Sequence, residues 1–209
     1  MIDPTGMEAM WIPGIDRFGN LTLTAEQGDN LQTLKDFFKN DKVALKQFVK
    51  DKDLKKDRKF KEGETITLKE DNVLSQSLRS AQGDPDFEKN NNYDCKEFVI
   101  ETMINNRPKL DKGANYAGGT PLEQQKFGDI FSRKEKIDES SQIPGRTFTY
   151  WPAGVRLIGD HAAVHFGYDK NGTEYFVTKN GVTDRPTVQS KNQLPYWFLL
   201  FRGNYKPIQ

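Results

Sequence analysis

The sequence predicts an α+β protein. A smaller strand–helix–helix–strand unit comes first in the chain, and a helix followed by an antiparallel sheet comes after it. Apolar residues in 21–69 change from alternating to helical spacing and back, which indicates the smaller unit. A further helical pattern starts near Cys95, and the last part of the chain alternates between apolar and polar residues around tight turns. Helix and strands grouped in separate runs are typical of the α+β class.

Composition argues against several classes of protein. A chain of 209 residues can form one large domain or two small ones. The 31 basic and 30 acidic residues nearly balance, which argues against a nucleic-acid binder. No apolar run is long enough for a membrane span, and the N-terminal MIDPTGMEAM lacks the basic and apolar regions of a signal peptide. One cysteine and two histidines leave no disulfide framework and little for zinc, so we expect no metal and no cofactor.

The N-terminal part contains the smaller unit. Residues 1–20 are rich in Gly, Pro and Asp and are interpreted as a lead-in segment. LTLTA predicts a strand, and QGDN predicts a turn in which Asp29 or Asn30 caps a helix. LQTLKDFFKN and KVALKQFV predict two short helices, and GETITLKE predicts a closing strand. The apolar positions at helical spacing are Leu31, Leu34, Phe37, Phe38, Val43, Leu45, Phe48 and Val49.

This unit resembles a LysM module, a small βααβ domain whose relatives bind glycans that contain N-acetylglucosamine. The resemblance covers about fifty residues and is carried by the element order, by Gly63 before the closing strand, and by Gly28-Asp29-Asn30-Leu31 in place of the usual Gly-Asp-Thr-Leu. It implies a glycan-binding module at 21–70. The segment DKDLKKDRK is more charged than is usual in the family, and a structural adaptor that binds no glycan is the alternative.

A polar, turn-rich stretch at 70–92 places the domain boundary near residue 71, so the second domain is expected at 71–209. There, VRLIGDHAAVHFGY and TEYFVTKNG are separated by DKNG and predict a β-hairpin. PYWFLLFRG predicts a last apolar strand.

Cys95 is a candidate nucleophile because it lies where an Asn/Asp-rich turn, with Asp94 as a possible cap, gives way to a helix. A helix N-terminus favours the thiolate, and a nearby imidazole would do so further. The chain offers only His161 and His165, four residues apart on one predicted strand and therefore on one face. A lone buried cysteine without catalytic function is the alternative.

Three blocks in order resemble the NlpC-type cell-wall peptidases, which are papain-like cysteine peptidases. The first block, Tyr93-Asp94-Cys95 followed by Phe98-Val99, carries Lys96-Glu97 where the family has Ser-Gly. The other two are Phe127-Gly128-Asp129-Ile130-Phe131 and His161-Ala162-Ala163-Val164-His165-Phe166-Gly167. The resemblance implies a papain-like fold for 71–209, with Cys95 as nucleophile, His161 as base and His165 in the place of a tyrosine.

The same resemblance implies a third polar residue, which orients the imidazole from the strand after the base. If that strand is aligned with the family residue for residue, Thr178 takes the position of the third polar residue. Asn180, two residues on, would lie on the same face, and its amide oxygen could accept from the imidazole as in a Cys-His-Asn arrangement. We favour Asn180, while a turn-forming role before Gly181 stays open.

The start of the chain carries another resemblance. Ile2-Asp3-Pro4-Thr5-Gly6-Met7 is similar to the end of the core repeat of Rhs-type polymorphic toxins, where an Asp-Pro-x-Gly signature precedes the effector domain. This implies release of the effector from an Rhs shell, delivery by a contractile secretion apparatus, and a cognate immunity protein.

Together the resemblances imply a secreted antibacterial effector that cleaves amide bonds of peptidoglycan stem peptides in the periplasm of a target bacterium. Two alternatives remain. One is a papain-like toxin that cleaves or deamidates a cytosolic protein of the target cell. The other is a non-catalytic glycan-binding module in which Cys95 is structural.

Overall fold

The computed structural model describes residues 11–72, 135–151, 161–179, 185–194 and 203–206, together with Leu74, Ser75, Leu78, Cys95, Phe98 and Val99. Short helices and two antiparallel sheets make up this part of the chain, which confirms the α+β class. The smaller sheet has three strands and the larger has six.

The smaller sheet contains β1 (Ile12–Ile15), β2 (Leu21–Thr24) and β3 (Thr65–Thr67), in the order β1-β2-β3. Strands β2 and β3 are those that the sequence predicted. β1 differs from the prediction, because residues 11–20 were interpreted as lead-in. Pro13 and Gly14 interrupt its apolar pattern, and proline is tolerated there because β1 is at the edge of its sheet.

Two helices connect β2 to β3. Helix α1 (Leu31–Phe37) is capped by Asn30, whose side chain accepts hydrogen bonds from the backbone of Gln32 and Thr33. Helix α2 (Lys42–Phe48) is followed by a 3₁₀ turn at Asp51–Leu54. Val43 was expected among the apolar positions of α2, but it is 51% exposed and Ala44 is buried in its place.

The larger sheet contains β4 (Glu135–Ile137), β5 (Phe148–Trp151), β6 (His161–Tyr168), β7 (Glu174–Thr178), β8 (Thr187–Ser190) and β9 (Gly203–Lys206). Its strand order is β4-β9-β5-β6-β7-β8, with all neighbours antiparallel. The predicted hairpin is confirmed as β6 and β7, joined by a turn at which Gly172 has a φ of 75°. Apart from Gly203, where β9 begins, the strand predicted at PYWFLLFRG lies outside the described residues.

One hydrophobic core joins the two helices to the larger sheet. The ring of Phe166, on β6, meets the rings of Phe37 and Phe48 edge-on, with centroids 5.6 and 6.1 Å apart. Phe38 completes the cluster, stacked on Phe48 at 5.8 Å. This buried cluster also contains Leu74, Leu78, Phe98 and Val99, so the core continues on both sides of residue 71.

Two glycines allow this close approach. A Cβ atom on Gly167 would overlap the ring of Phe37, and a Cβ atom on Gly145 would overlap the ring of Phe48. Both rings are buried, so neither can swing into solvent to make room. The helices and the larger sheet therefore pack against each other in direct backbone-to-ring contact.

Gly167→Ala should destabilise the fold by about 1–3 kcal/mol, because overpacking a dense core forces rings and backbone apart. Chemical denaturation, followed by tryptophan fluorescence and by far-UV circular dichroism, measures this loss. Phe37→Leu combined with Gly167→Ala should recover part of it, since the smaller side chain leaves room for the methyl group.

Gly14→Ala is the matched control, because its Cβ would meet only Thr22 Oγ1, at 3.2 Å. It should cost less than Gly167→Ala. Equal losses from the two substitutions would contradict the close packing of Gly167 against Phe37.

Candidate functional site

Both histidines lie on β6, where the sequence placed them. His161 is its first residue and is 4% exposed. Alternate residues of this strand face opposite sides of the sheet. Ala162, Val164 and Phe166 join the large core that contains the helices, whereas Ala163 belongs to a second buried cluster with Phe176 and Leu194. His161 and His165 therefore share the side of Ala163.

Thr178 holds the ring of His161. Its Oγ1 lies 2.9 Å from His161 Nε2 and 3.1 Å from the carbonyl oxygen of Ala162. The three residues are buried. Direct strand register had offered Thr178 as the third polar residue, while Asn180, which we favoured, lies outside the described residues.

These two hydrogen bonds favour one tautomer of His161. The Ala162 carbonyl can only accept, so Thr178 uses its single hydroxyl proton in that bond. Towards His161 the Thr178 oxygen must therefore accept, which places the ring proton on Nε2. A neutral imidazole has one N–H, and consequently Nδ1 carries the basic lone pair.

Cys95 is in a helix, as predicted, and is 4% exposed. Phe98 and Val99 follow it by three and four residues, so they lie on the same side of the helix, and both belong to the large core. That core covers the side of β6 opposite to His161. Proximity of the Cys95 sulfur to the His161 ring stays a prediction.

Other residues of the resemblance lie outside the described part of the chain. They are Tyr93, Asp94, Lys96, Glu97, the block at 127–131, and the Rhs-like segment at 2–7.

His165, which the resemblance puts in the place of a tyrosine, has no exposed surface. Its Nδ1 lies 3.3 Å from Glu174 Oε1, and the side chain of Glu174 is 1% exposed. The ring of Tyr168 lies 4.7 Å away. Sequence reasoning missed Glu174, although an acidic residue at the start of the apolar strand EYFVT could have suggested a buried ion pair.

Lys39 connects the helical unit to this region. It lies in the turn between α1 and α2 and has a φ of 54°. Its Nζ donates to the carbonyl oxygens of Ser140 and Gln142, each at 3.2 Å, and lies 4.5 Å from the centre of the Tyr168 ring. Burial lowers the pKa of Lys39, while the carboxylates of Glu174 and Glu139 oppose that shift.

The turn that carries the LysM resemblance is held by its own side chains. Asp29 accepts hydrogen bonds from the Glu26 backbone and from Thr33 Oγ1, each at 2.9 Å. Burial raises the pKa of Asp29, and these hydrogen bonds oppose the rise. Trp11 Nε1 donates to Thr33 Oγ1 at 3.0 Å, which ties the start of β1 to the same turn. Asp29 thus has a structural function in this turn.

The described residues contain no group of three His, Cys, Asp or Glu side chains that could hold a metal ion. Among the helices in the same ranges, none is long and apolar enough to cross a membrane.

No family model, no curated protein and no solved structure matches this chain.

Thr178→Val should remove the acceptor for His161 Nε2–H, and the ¹⁵N spectrum of His161 should then lose its single Nε2-protonated form. Stability should fall by about 1–3 kcal/mol, because a buried N–H is left without its partner. Thr178→Ser keeps the hydroxyl and should keep the tautomer. An unchanged tautomer in Thr178→Val would contradict the assignment of Thr178 as the group that orients His161.

Proposed function

We propose that this protein is a cysteine hydrolase that cleaves amide bonds of peptidoglycan stem peptides and acts as an antibacterial effector. The observation that carries the proposal is the hydrogen bonding of His161, which presents Nδ1 as a base while Thr178 holds the opposite ring nitrogen. A buried imidazole with one defined basic atom is what general-base activation of a thiol requires.

In the proposed reaction His161 Nδ1 takes the thiol proton of Cys95, and the thiolate attacks the carbonyl carbon of the amide. The backbone N–H of Cys95 forms part of the oxyanion hole. The imidazolium returns its proton to the amine as the C–N bond breaks, which leaves a thioester. His161 then deprotonates a water molecule that hydrolyses the thioester and releases the carboxylic acid and the free thiol. Thr178 orients the ring throughout.

The substrate and the setting come from the resemblances. The NlpC-like blocks favour stem peptides, and the LysM-like unit favours a glycan polymer as the partner that brings the enzyme to them. The Rhs-like signature favours release from an Rhs shell, delivery through a secretion apparatus to the target periplasm, and an immunity protein in the producing cell. The alternative within the same chemistry is cleavage or deamidation of a cytosolic protein.

The burial of Cys95 favours a second candidate function. At 4% exposure, with Phe98 and Val99 in the core beside it, Cys95 has the surroundings of a structural thiol. In that case the protein is a non-catalytic glycan-binding protein, and His161 is a buried strand residue satisfied by Thr178.

Incubation with purified sacculi should release new amine and carboxyl termini, and Cys95→Ala should reduce this release to background because the nucleophile is lost. His161→Ala should lower the rate by a factor of at least about 10², the usual contribution of a general base. Mass spectrometry of the soluble products measures both effects, with circular dichroism as the test of folding.

The cellular compartment in which the protein is toxic distinguishes its two candidate substrates, peptidoglycan and a cytosolic protein. Export of the protein to the periplasm of a bacterial host should be toxic, and retention in the cytosol should not. Toxicity confined to cytosolic expression would favour the protein-modifying alternative, and a toxic Cys95→Ala variant would remove Cys95 from the mechanism.

Thiol reactivity separates the enzyme from the non-catalytic protein. A catalytic Cys95 should react with iodoacetamide near neutral pH well before the protein unfolds, and His161→Ala should slow that reaction. A structural thiol should react only at the rate of unfolding. The urea-denatured chain, in which Cys95 is accessible in either case, is the control, and intact-mass spectrometry gives the rates.

A further inference from the structure

A fully buried lysine lies next to the candidate site. Lys179 follows Thr178, the last residue of β7, and its side chain is 0% exposed. Lysine is among the residues least often found fully buried, because its ammonium group loses the hydration that it has in water. The hydrolysis proposed above does not use this side chain. A buried charge beside a candidate site is a common means of shifting the ionisation of a reacting group.

The strand register places Lys179 on the side of the sheet opposite to His161. Val177, two residues earlier, belongs to the large core, so the alternation of side chains puts Lys179 on the core side as well. The register of β6 and β7, continued beyond Val177, brings Ala162 opposite Lys179, and Ala162 also belongs to the large core. Thr178, which lies between them in sequence, faces His161 instead.

The strand neighbours of Lys179 on the core side are buried residues that cannot ionise. They are Val177, Ala162 and Pro186, the last of which the register of β7 and β8 brings opposite Lys179. Glu174, on the same strand, pairs with His165 on the other side of the sheet. Arg185, next to Pro186, is exposed. The polar surroundings of the Lys179 ammonium group therefore come from elements that pack against the core side.

The helix of Cys95 packs against this same side. Phe98 and Val99 belong to one buried cluster with Val177. Cys95 precedes them by three and four residues, so it lies on the same face of its helix, and it is 4% exposed. A buried thiol and a buried ammonium group are thus directed into the interior on one side of the larger sheet.

The proposed reaction creates a negative charge in that interior. When the thiol proton leaves Cys95, the thiolate lies where few water molecules can solvate it, and a buried anion is costly without a positive charge nearby. An ammonium group within about 4–6 Å favours the thiolate over the thiol. The thiolate in turn offsets the cost of burying Lys179.

We propose that Lys179 is a positioning residue of the hydrolase, whose ammonium group stabilises the thiolate of Cys95 from the core side of the sheet. This assignment rests on the proposed function, because it takes Cys95 as the nucleophile. His161 remains the base, and Lys179 neither gives nor takes a proton in the reaction.

The pH dependence of Cys95 alkylation by iodoacetamide, followed by intact-mass spectrometry, tests the proposal, since only the thiolate reacts. Lys179→Met keeps the length of the side chain and loses the charge, so the midpoint of the pH profile should move up by about one pH unit or more. Lys179→Arg keeps the charge and should leave the midpoint near that of the parent. Val177→Ala is the matched control, because it removes buried packing from the same strand and side without removing a charge, and it should not move the midpoint.

The His161→Ala background separates a direct effect on the thiolate from an effect through the imidazole. Lys179→Met should raise the midpoint there by a similar amount, because the ammonium group acts on the thiolate itself. An effect that disappears without His161 would mean that Lys179 only supports β7 and Thr178, and it would contradict the proposal.

Cys95→Ala gives a second measurement that leaves Lys179 unchanged. Coupling between two groups is reciprocal, so loss of the thiolate should lower the pH at which Lys179 titrates. The ¹³Cε chemical shift of Lys179 measures this titration. An unchanged titration would indicate that Lys179 pairs with a carboxylate, and it would overturn the assignment even if Lys179→Met did not fold.

Failure of this assignment can be distinguished from failure of the proposed function. A parent thiol that reacts only at the rate of unfolding would overturn both. Rapid reaction of the parent, with a midpoint that Lys179→Met does not move, would overturn only the assignment of Lys179.

Discussion

The contact between Phe166 and the aromatic residues of the two helices is the constraint on which the described structure depends. Phe166 projects from the middle of β6 into a cluster formed by Phe37, Phe38 and Phe48. Because this cluster is fully buried, removing α1 and α2 from the sheet would expose aromatic surface on both sides. The βααβ unit and the larger sheet therefore share one hydrophobic core.

The same packing fixes β6, and with it the position of His161. Neighbouring strands hold β6 on both sides, through Phe148↔Val164 on one and Val164↔Val177 on the other. That register brings Thr178 to His161 Nε2. A slip of β7 by one residue relative to β6 would turn Thr178 to the face of the sheet opposite to His161, so the hydrogen bond to His161 depends on strand pairing several residues away. The irregularity of the pairing lies beyond His165, at the far end of the strand from His161.

Local patterns in the sequence were sufficient for α1, α2, β2, β3 and the β6–β7 hairpin, because each has its own periodicity and its own turn or cap. β1 was missed because Pro13 and Gly14 interrupt its apolar pattern, and its stability comes from pairing with β2. Val43 fits helical spacing but faces solvent, since the buried side of α2 is formed by Ala44, Leu45 and Phe48.

The candidate site was predictable only in part. The sequence identified His161 and offered Thr178 and Asn180 as partners, but the choice depends on which side-chain atom reaches Nε2, and spacing alone does not give that distance. The burial of His165 against Glu174 and the bridge from Lys39 join segments far apart in the chain. Such contacts depend on tertiary packing and leave little trace in local periodicity.

Because the helical unit is packed on the larger sheet, a ligand bound to that unit would have a different effect from one bound to a separate module. A binding module on a flexible linker raises the local concentration of substrate over all the positions that the linker allows. Here the loop at 52–59 is tied to α1 through Asn30, and α1 is packed on β6 through Phe37 and Phe166. A ligand bound to the helical unit would consequently be held at a fixed distance and angle from the strand that carries His161. If the protein acts on a polymer, this geometry selects which position along it reaches the end of β6. Binding would then contribute to the choice of bond as well as to affinity.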